Sequence, residues 1–366
     1  MILCVGCGGV GKTTTTAALG VAAVKRGTRV LCLTVDPARR LAQSLGLDWA
    51  TVEARTIERS VLDRCGAAPS ASLTIMRVDT KSTFDQLVTS LAPDAERRDR
   101  ILKNVLYKYI STSLAGTQEY MAMEKVYALK DDPRYDLILV DTPPTANALD
   151  FLDAPDRLVG AIDSPAIRWF VEAFEGSGKF SLNLVARSTA VLLKGVGKLT
   201  GSGFLEQVAT FVSEMNALFG GWKARADVVS AALRGPKVAY VLVTTPDPLA
   251  IREVKYFAER LRAEKMHADA FVVNRVHPRF ATGNAAGVQA ELEKAGIVGA
   301  TAAMSERCVR AHHDAEQQGR LDELQLMALE EVIEDEAKAV SVRVPTYARD
   351  VYDVEALSEL AAIIAP

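Results

Sequence analysis

Charge of one sign is missing from this chain: across 366 residues, 43 Lys and Arg stand against 46 Asp and Glu, a formal net charge of −3. So even a balance gives no electrostatic footprint for a nucleic-acid backbone or an anionic membrane surface. Long apolar runs are missing as well. A membrane-spanning helix needs about 20 mostly apolar residues, and the nearest approach, Leu182 to Leu199, is broken by Arg187, Lys194 and two glycines. Neither nucleic-acid binding nor stable membrane insertion is expected. Cysteine is sparse, and Cys4, Cys7, Cys32, Cys65 and Cys308 are scattered in the manner of a reduced, cytoplasmic protein. Cys4-Val5-Gly6-Cys7 spells C-x-x-C, but with no second pair or histidine partner it makes no metal set. His312 and His313 are adjacent and do not share a helix face. There is no internal repeat and no low-complexity tail, and with an apolar strand read from Ile2 no signal peptide is expected.

What is present begins at once. Gly6-Cys7-Gly8-Gly9-Val10-Gly11-Lys12-Thr13 fits the phosphate-loop pattern G-x-x-x-x-G-K-S/T, between an apolar strand (Ile2 to Val5) and a helical run from Thr14 to Val24. Gly8, Gly9, Val10, Gly11 and Thr14 bring backbone N–H groups toward a polyphosphate at a helix N-terminus. Lys12 reaches the outer phosphates and Thr13 offers its hydroxyl to Mg²⁺. The pattern predicts ATP or GTP binding.

Strands are expected at Thr28 to Val35, Leu73 to Val78 and Tyr135 to Val140, ending at the acids Asp36, Asp79 and Asp141. Helices are expected at 83–91, 95–110 and 117–129. From about 154 to 234 strand runs vanish, and apolar residues recur at helical spacing between glycine-rich breaks: Ile167, Phe170, Val171 and Phe174, then Phe204, Val208, Phe211, Val212, Met215, Leu218 and Phe219. Such stripes suit a helix core, or a hydrophobic groove that opens and closes. Strand texture returns at Lys237 to Thr244 and Ala270 to Asn274, and a helical region over 303–338 has a possible break at Gly319. The fold expected is α/β: a doubly wound, mainly parallel P-loop NTPase sheet with an α-helical insertion. Its boundaries are 1–153 and 235–366 for the ATPase domain and 154–234 for the insertion. Asp141, ending an apolar strand, is placed to hold Mg²⁺ through water.

The loop and three further segments resemble the arsenite-pump ATPase family, which includes the ATPase that targets tail-anchored membrane proteins. Thr34-Val35-Asp36-Pro37-Ala38 is similar to that family's first switch, and Val140-Asp141-Thr142-Pro143-Pro144-Thr145 to its second. Val272-Val273-Asn274 is similar to the strand whose asparagine reads adenine, and Val344-Pro345 to the last nucleotide-side loop. The closest likeness is to a bacterial branch of anion-transporting-type ATPases, carried also by 116–121 and by 147–155. The resemblance implies ATP rather than GTP, with Asp36 orienting the attacking water and Asn274 and Pro345 beside the nucleotide. It also implies a dimer in which a signature lysine crosses to the partner's phosphates; here that position is Cys7. No thiol replaces an ammonium. The family's zinc-binding C-x-x-C is likewise absent.

Two functions follow as expectations. The first is a Mg²⁺-dependent ATPase, a homodimer or a heterodimer with a related ATPase, that couples hydrolysis to a helical region binding a hydrophobic client protein. The second is a non-hydrolysing, nucleotide-gated module, half of a heterodimer with a lysine-bearing paralogue. Within the family, anion extrusion is the other open reading.

Overall fold

A computed structural model describes residues 1–35, 40–45, 54–113, 117–142, 153–165, 202–279, 284–297, 301–336 and 338–366. Its packing divides the chain into two compact units: one of 1–76, 133–148 and 239–366, and one of 77–132 and 149–238.

The first unit is built on eight strands in the order β3-β4-β2-β5-β1-β6-β7-β8. They are β1 (Ile2–Val5), β2 (Arg29–Thr34), β3 (Arg55–Thr56), β4 (Ser72–Arg77), β5 (Leu137–Asp141), β6 (Ala239–Thr244), β7 (Ala270–Val276) and β8 (Val340–Pro345). β1 pairs in parallel with both β5 and β6, β2 with β5, and β7 with both β6 and β8. The short β3 pairs antiparallel with β4. The α/β, mainly parallel sheet expected from the sequence is the sheet observed. Its central strands read as unbroken apolar runs because helices cover both faces. From Val30 to Thr34 every residue of β2 is buried, as are the last four of β5. β8, at the edge, is mostly exposed and carries Arg343 and Pro345, two residue types that blunt an open edge.

The phosphate-loop helix α1 (Lys12–Lys25) packs beside the final helix of the chain, Val354–Ile364. Lys25 donates to the carbonyl of Ser358, and Arg26 reaches the carbonyls of Ala365 and Pro366. The region expected to break at Gly319 is a single 34-residue helix, Ala302–Asp335. A Cβ on Gly319 would lie 2.9 Å from the carbonyl oxygen of Pro278. The glycine therefore serves a close approach, not a helix end.

The second unit is helical. Its described helices are Thr80–Leu91, Ala95–Lys103, Val105–Ser113, Thr117–Leu129, Ala154–Ile162 and a 32-residue helix, Ser202–Leu233. The single helix expected over 95–110 is two, because Asn104 adopts an extended backbone (φ −68°, ψ 137°) and its side chain accepts from the N–H of Leu106, an N-cap for the second piece. Tyr107 and Trp222 each meet Phe84 edge to face, with ring centroids 5.3 and 5.0 Å away. Glu124, buried, takes Arg225 at 2.6 Å. Of the apolar stripe expected on the long helix, Phe211, Met215 and Leu218 are buried, in line with Trp222, Ala226 and Val229. These are core residues. The stripe at Ile167 to Phe174 lies outside the described residues, as do the side chains of Phe204 and Val208. Because 77–132 groups with 149–238, this unit is larger than the segment 154–234.

Candidate active site

Ligands of open parallel sheets sit at the carboxyl ends of the strands, and in the first unit those ends converge on one cavity of about 510 Å³. Gly9, Gly11, Lys12, Thr13 and Thr14 line it from the loop after β1, Thr142 from the end of β5, Asn274 and Arg275 from β7, and Pro345, Tyr347 and Arg349 from the end of β8.

Gly11 is the N-cap of α1, with φ 101°, in the left-handed region that favours glycine. No side chain caps the helix and no acid occupies its first turn. Its first N–H groups and the positive end of its dipole are therefore turned to the cavity, the arrangement that binds an anion. Lys12 is buried, and its ammonium donates to the carbonyls of Gly6 and Cys7 at 2.9 and 2.8 Å. Val10 contributes its backbone, since its side chain is in the core. Gly8 is exposed and is not among the residues lining the cavity.

Asp141 ends β5, directly beside β1, and is buried. The hydroxyl of Thr13 donates to its Oδ2 at 2.9 Å, and Thr34, at the end of β2, donates to the same oxygen at 3.0 Å. Thr142 donates its hydroxyl to the carbonyl of Cys4 at 2.8 Å, tying the end of β5 to β1. A hydroxyl and a carboxylate so placed are hard oxygen donors suited to Mg²⁺. Among the described residues, no group of three or more His, Cys, Asp and Glu side chains is placed to hold a metal ion.

The structure brings together Gly9, Gly11, Lys12, Thr13, Thr14, Asp141, Asn274 and Pro345 of the residues picked from sequence. Asp36, expected to orient water, lies outside the described residues, as do Pro37, Ala38 and the switch segment 143–150. Asn274 donates its side-chain N–H to the carbonyl of Val10 at 2.9 Å, so it contacts the phosphate loop itself. Sequence reasoning missed Thr34, Arg275, Tyr347 and Arg349. The threonine carries a weak signal, since it lies two residues before an acid at the ligand edge; the others sit on loops whose path no local pattern specifies.

Cys7 is half-buried and is absent from the cavity lining. Burial, and then the nearby carboxylate of Glu253, push its thiol above the ordinary range, against a smaller opposing pull from Lys12. Its side chain is thus a neutral thiol beside an acid and supplies no cation.

A family model described as Anion-transporting ATPase matches residues 1–295. The chain is 25% identical over 276 residues to the protein named ATPase get3 of Aspergillus terreus, covering 74% of this chain and 71% of that one. It is 24% identical over 281 residues to ATPase ASNA1 homolog 1 of Paramecium tetraurelia, with 74% and 73% covered. A third similarity, 27% over 161 residues, is to ATPase GET3 of Malassezia globosa, with 44% of each chain covered.

Proposed function

The chain belongs to the anion-transporting ATPase family as an ATP hydrolase, and from that premise we propose that it is a Mg²⁺-dependent switch, in which ATP binding and hydrolysis at the cavity of the first unit change a helical, client-binding region. The observation that carries the reading is the contact of Thr13 with Asp141 at 2.9 Å, beside the open N-terminus of α1 and the ammonium of Lys12. It supports the reading because a triphosphate and Mg²⁺ call for a hydroxyl, a carboxylate and a cation close to one loop.

In this mechanism the loop amides and Lys12 hold the β- and γ-phosphates and stabilise the charge that develops on the equatorial oxygens. Thr13, with Asp141 behind it, would hold Mg²⁺, which neutralises charge on the β- and γ-oxygens when bound. Asp36 orients a water for in-line attack on the γ-phosphorus; the new P–O bond replaces the bond to the β-phosphate oxygen, which leaves on ADP. Asn274 and Pro345 flank the nucleotide. A homodimer, or a heterodimer with a related ATPase, is the assembly this reading takes, with a hydrophobic protein as client.

The test is steady-state ATP hydrolysis with Mg²⁺ by the purified chain, beside Lys12→Ala. Turnover that vanishes with Lys12 is expected; turnover indifferent to Lys12 would overturn the assignment. A client protein should stimulate the rate, whereas stimulation by arsenite or antimonite would point to anion extrusion.

A second reading has one observation in its favour. The thiol of Cys7, beside Glu253, supplies no cation to a partner's phosphates, and a cation supplied in trans is worth about 10³–10⁵ in rate. On that reading the chain is the slow half of a heterodimer, and adding a lysine-bearing paralogue would raise turnover by orders of magnitude.

A further inference from the structure

We infer that Asn274 is a positioning residue for the phosphate loop, acting on the bound polyphosphate through the backbone of Val10 and independently of any base. The inference rests on the ATP-binding reading above but assigns this side chain a task of its own.

The side chain is held at both ends of its amide. Its Nδ2 donates to the carbonyl of Val10 at 2.9 Å, and its Oδ1 accepts from the backbone N–H of Arg275 at 3.0 Å. It also lies directly against the loop: a Cβ added to Gly11 would fall 2.3 Å from Nδ2. Asn274 thus bonds Val10 and lies against Gly11, the two residues that immediately precede Lys12.

A latch positions only what its own mounting can resist. Here the backbone around Asn274 is irregular and tightly secured. The register of β7 with β8 shifts between Val273 and Val276, and Arg275 sits at φ 59°, a conformation few residues with a Cβ adopt. Just beyond, the N–H of Thr346 donates to the carbonyl of Val276 at 2.9 Å. His277 gives both its backbone N–H (2.8 Å) and its ring Nδ1 contact (2.9 Å) to buried Asp322. Arg279 pairs with buried Glu316 at 2.7 Å. Both acids belong to the long helix 302–335, so the segment carrying Asn274 is anchored to that helix.

The physical consequence concerns preorganisation. Several loop amides bind one polyphosphate well only if they already face it, because ordering them on binding subtracts from affinity. With Gly9 at φ 82° and Gly11 at φ 101°, the loop's peptides have little steric restraint of their own. Removing Asn274 releases that restraint and leaves the carbonyl of buried Val10 without this donor, a loss worth more than an exposed hydrogen bond.

The experiment compares ATP with inorganic tripolyphosphate, which has no base, by titration calorimetry on the full chain and on Asn274→Ala, Asn274→Asp and Asn274→Ser. Unfolding midpoints without ligand establish that each variant is folded. Tripolyphosphate binding is expected to weaken about tenfold in Asn274→Ala, about 1.4 kcal/mol. It should weaken further in Asn274→Asp, where a carboxylate faces the Val10 carbonyl and the anion. Asn274→Ser, which keeps a short donor, should recover part of the loss. A residue serving only fold stability would lower the midpoint and leave both affinities intact, which would overturn the inference. So would variants that lose ATP affinity but bind tripolyphosphate like the parent chain, or a parent chain that binds ATP and not tripolyphosphate. A parent chain that binds neither would instead refute the ATP-binding reading itself.

Discussion

Asp141 illustrates how much one side chain owes to its neighbours. Two hydroxyls, from Thr13 and Thr34, converge on its Oδ2 at 2.9 and 3.0 Å, and charge-assisted bonds of this kind fix the rotamer of both donors. If Thr13 and Asp141 together hold Mg²⁺, converting the carboxylate to an amide removes the negative charge, leaves a single neutral acceptor oxygen and places an NH₂ donor where the other oxygen stood. Asp141→Asn should lower apparent Mg²⁺ affinity or hydrolysis by about 10–100-fold, and a Mg²⁺ titration of the ATPase rate reads the change. Cys7 makes a second prediction at this scale. Burial and Glu253 hold its thiol above the ordinary range, and a raised pKa means less thiolate at any given pH. Its alkylation by iodoacetamide, followed by mass spectrometry of the peptide that contains it, should therefore still be rising above pH 8.5, the value near which an unperturbed thiol is half ionised. A rate that levels off below pH 8 would contradict this.

The long helices decide what glycine means in this protein. Gly319 lies mid-helix in 302–335, and a Cβ there would stand 2.9 Å from the Pro278 carbonyl and 3.1 Å from Cδ of Arg279. Gly220 lies mid-helix in 202–233, and a Cβ there meets nothing within 4 Å. Alanine in a helix interior is worth about 1 kcal/mol over glycine, whereas forcing a group into packed surroundings costs about 1–3 kcal/mol. The same substitution should thus change sign: Gly220→Ala raises the denaturation midpoint, and Gly319→Ala lowers it. Chemical denaturation of the two variants beside the parent chain tests both. From sequence, Gly319 stood only as a possible break in the helical region 303–338, because the packing of 277–279 against it is a contact between elements that no helical pattern encodes. The division of 95–110 at Asn104 was likewise missed: apolar spacing continues through it, and the break rests on the extended backbone of one residue and its side-chain bond to the N–H of Leu106.

At the scale of the whole molecule, ligand binding and stability are linked. ATP at about 100 times its Kd stabilises the folded form that binds it by about 2.7 kcal/mol. Hydrogen exchange should slow in α1, whose first residues line the cavity, and in β1 and β5, which lead into its lining at the phosphate loop and Thr142, and Lys12→Ala should remove most of that protection. Equal protection in the variant would mean that ATP binds elsewhere.

The parts of this protein visible in its sequence are those set within a few residues of one another. The glycine-lysine-threonine loop between an apolar strand and a helix, the acid ending an apolar strand at Asp141, and the alternation of strand and helix are all local, and they sufficed for a mainly parallel α/β sheet and for a candidate phosphate site at its strand ends. Tertiary structure alone decided the rest. Thr13 and Asp141 are 128 positions apart, and Val10 and Asn274 are 264 apart. They meet because β1 lies between β5 and β6, with β7 next in the sheet, so that residues ending separate strands face a single loop. Spacing along the chain sets which face of an element a residue occupies; strand order sets which faces meet.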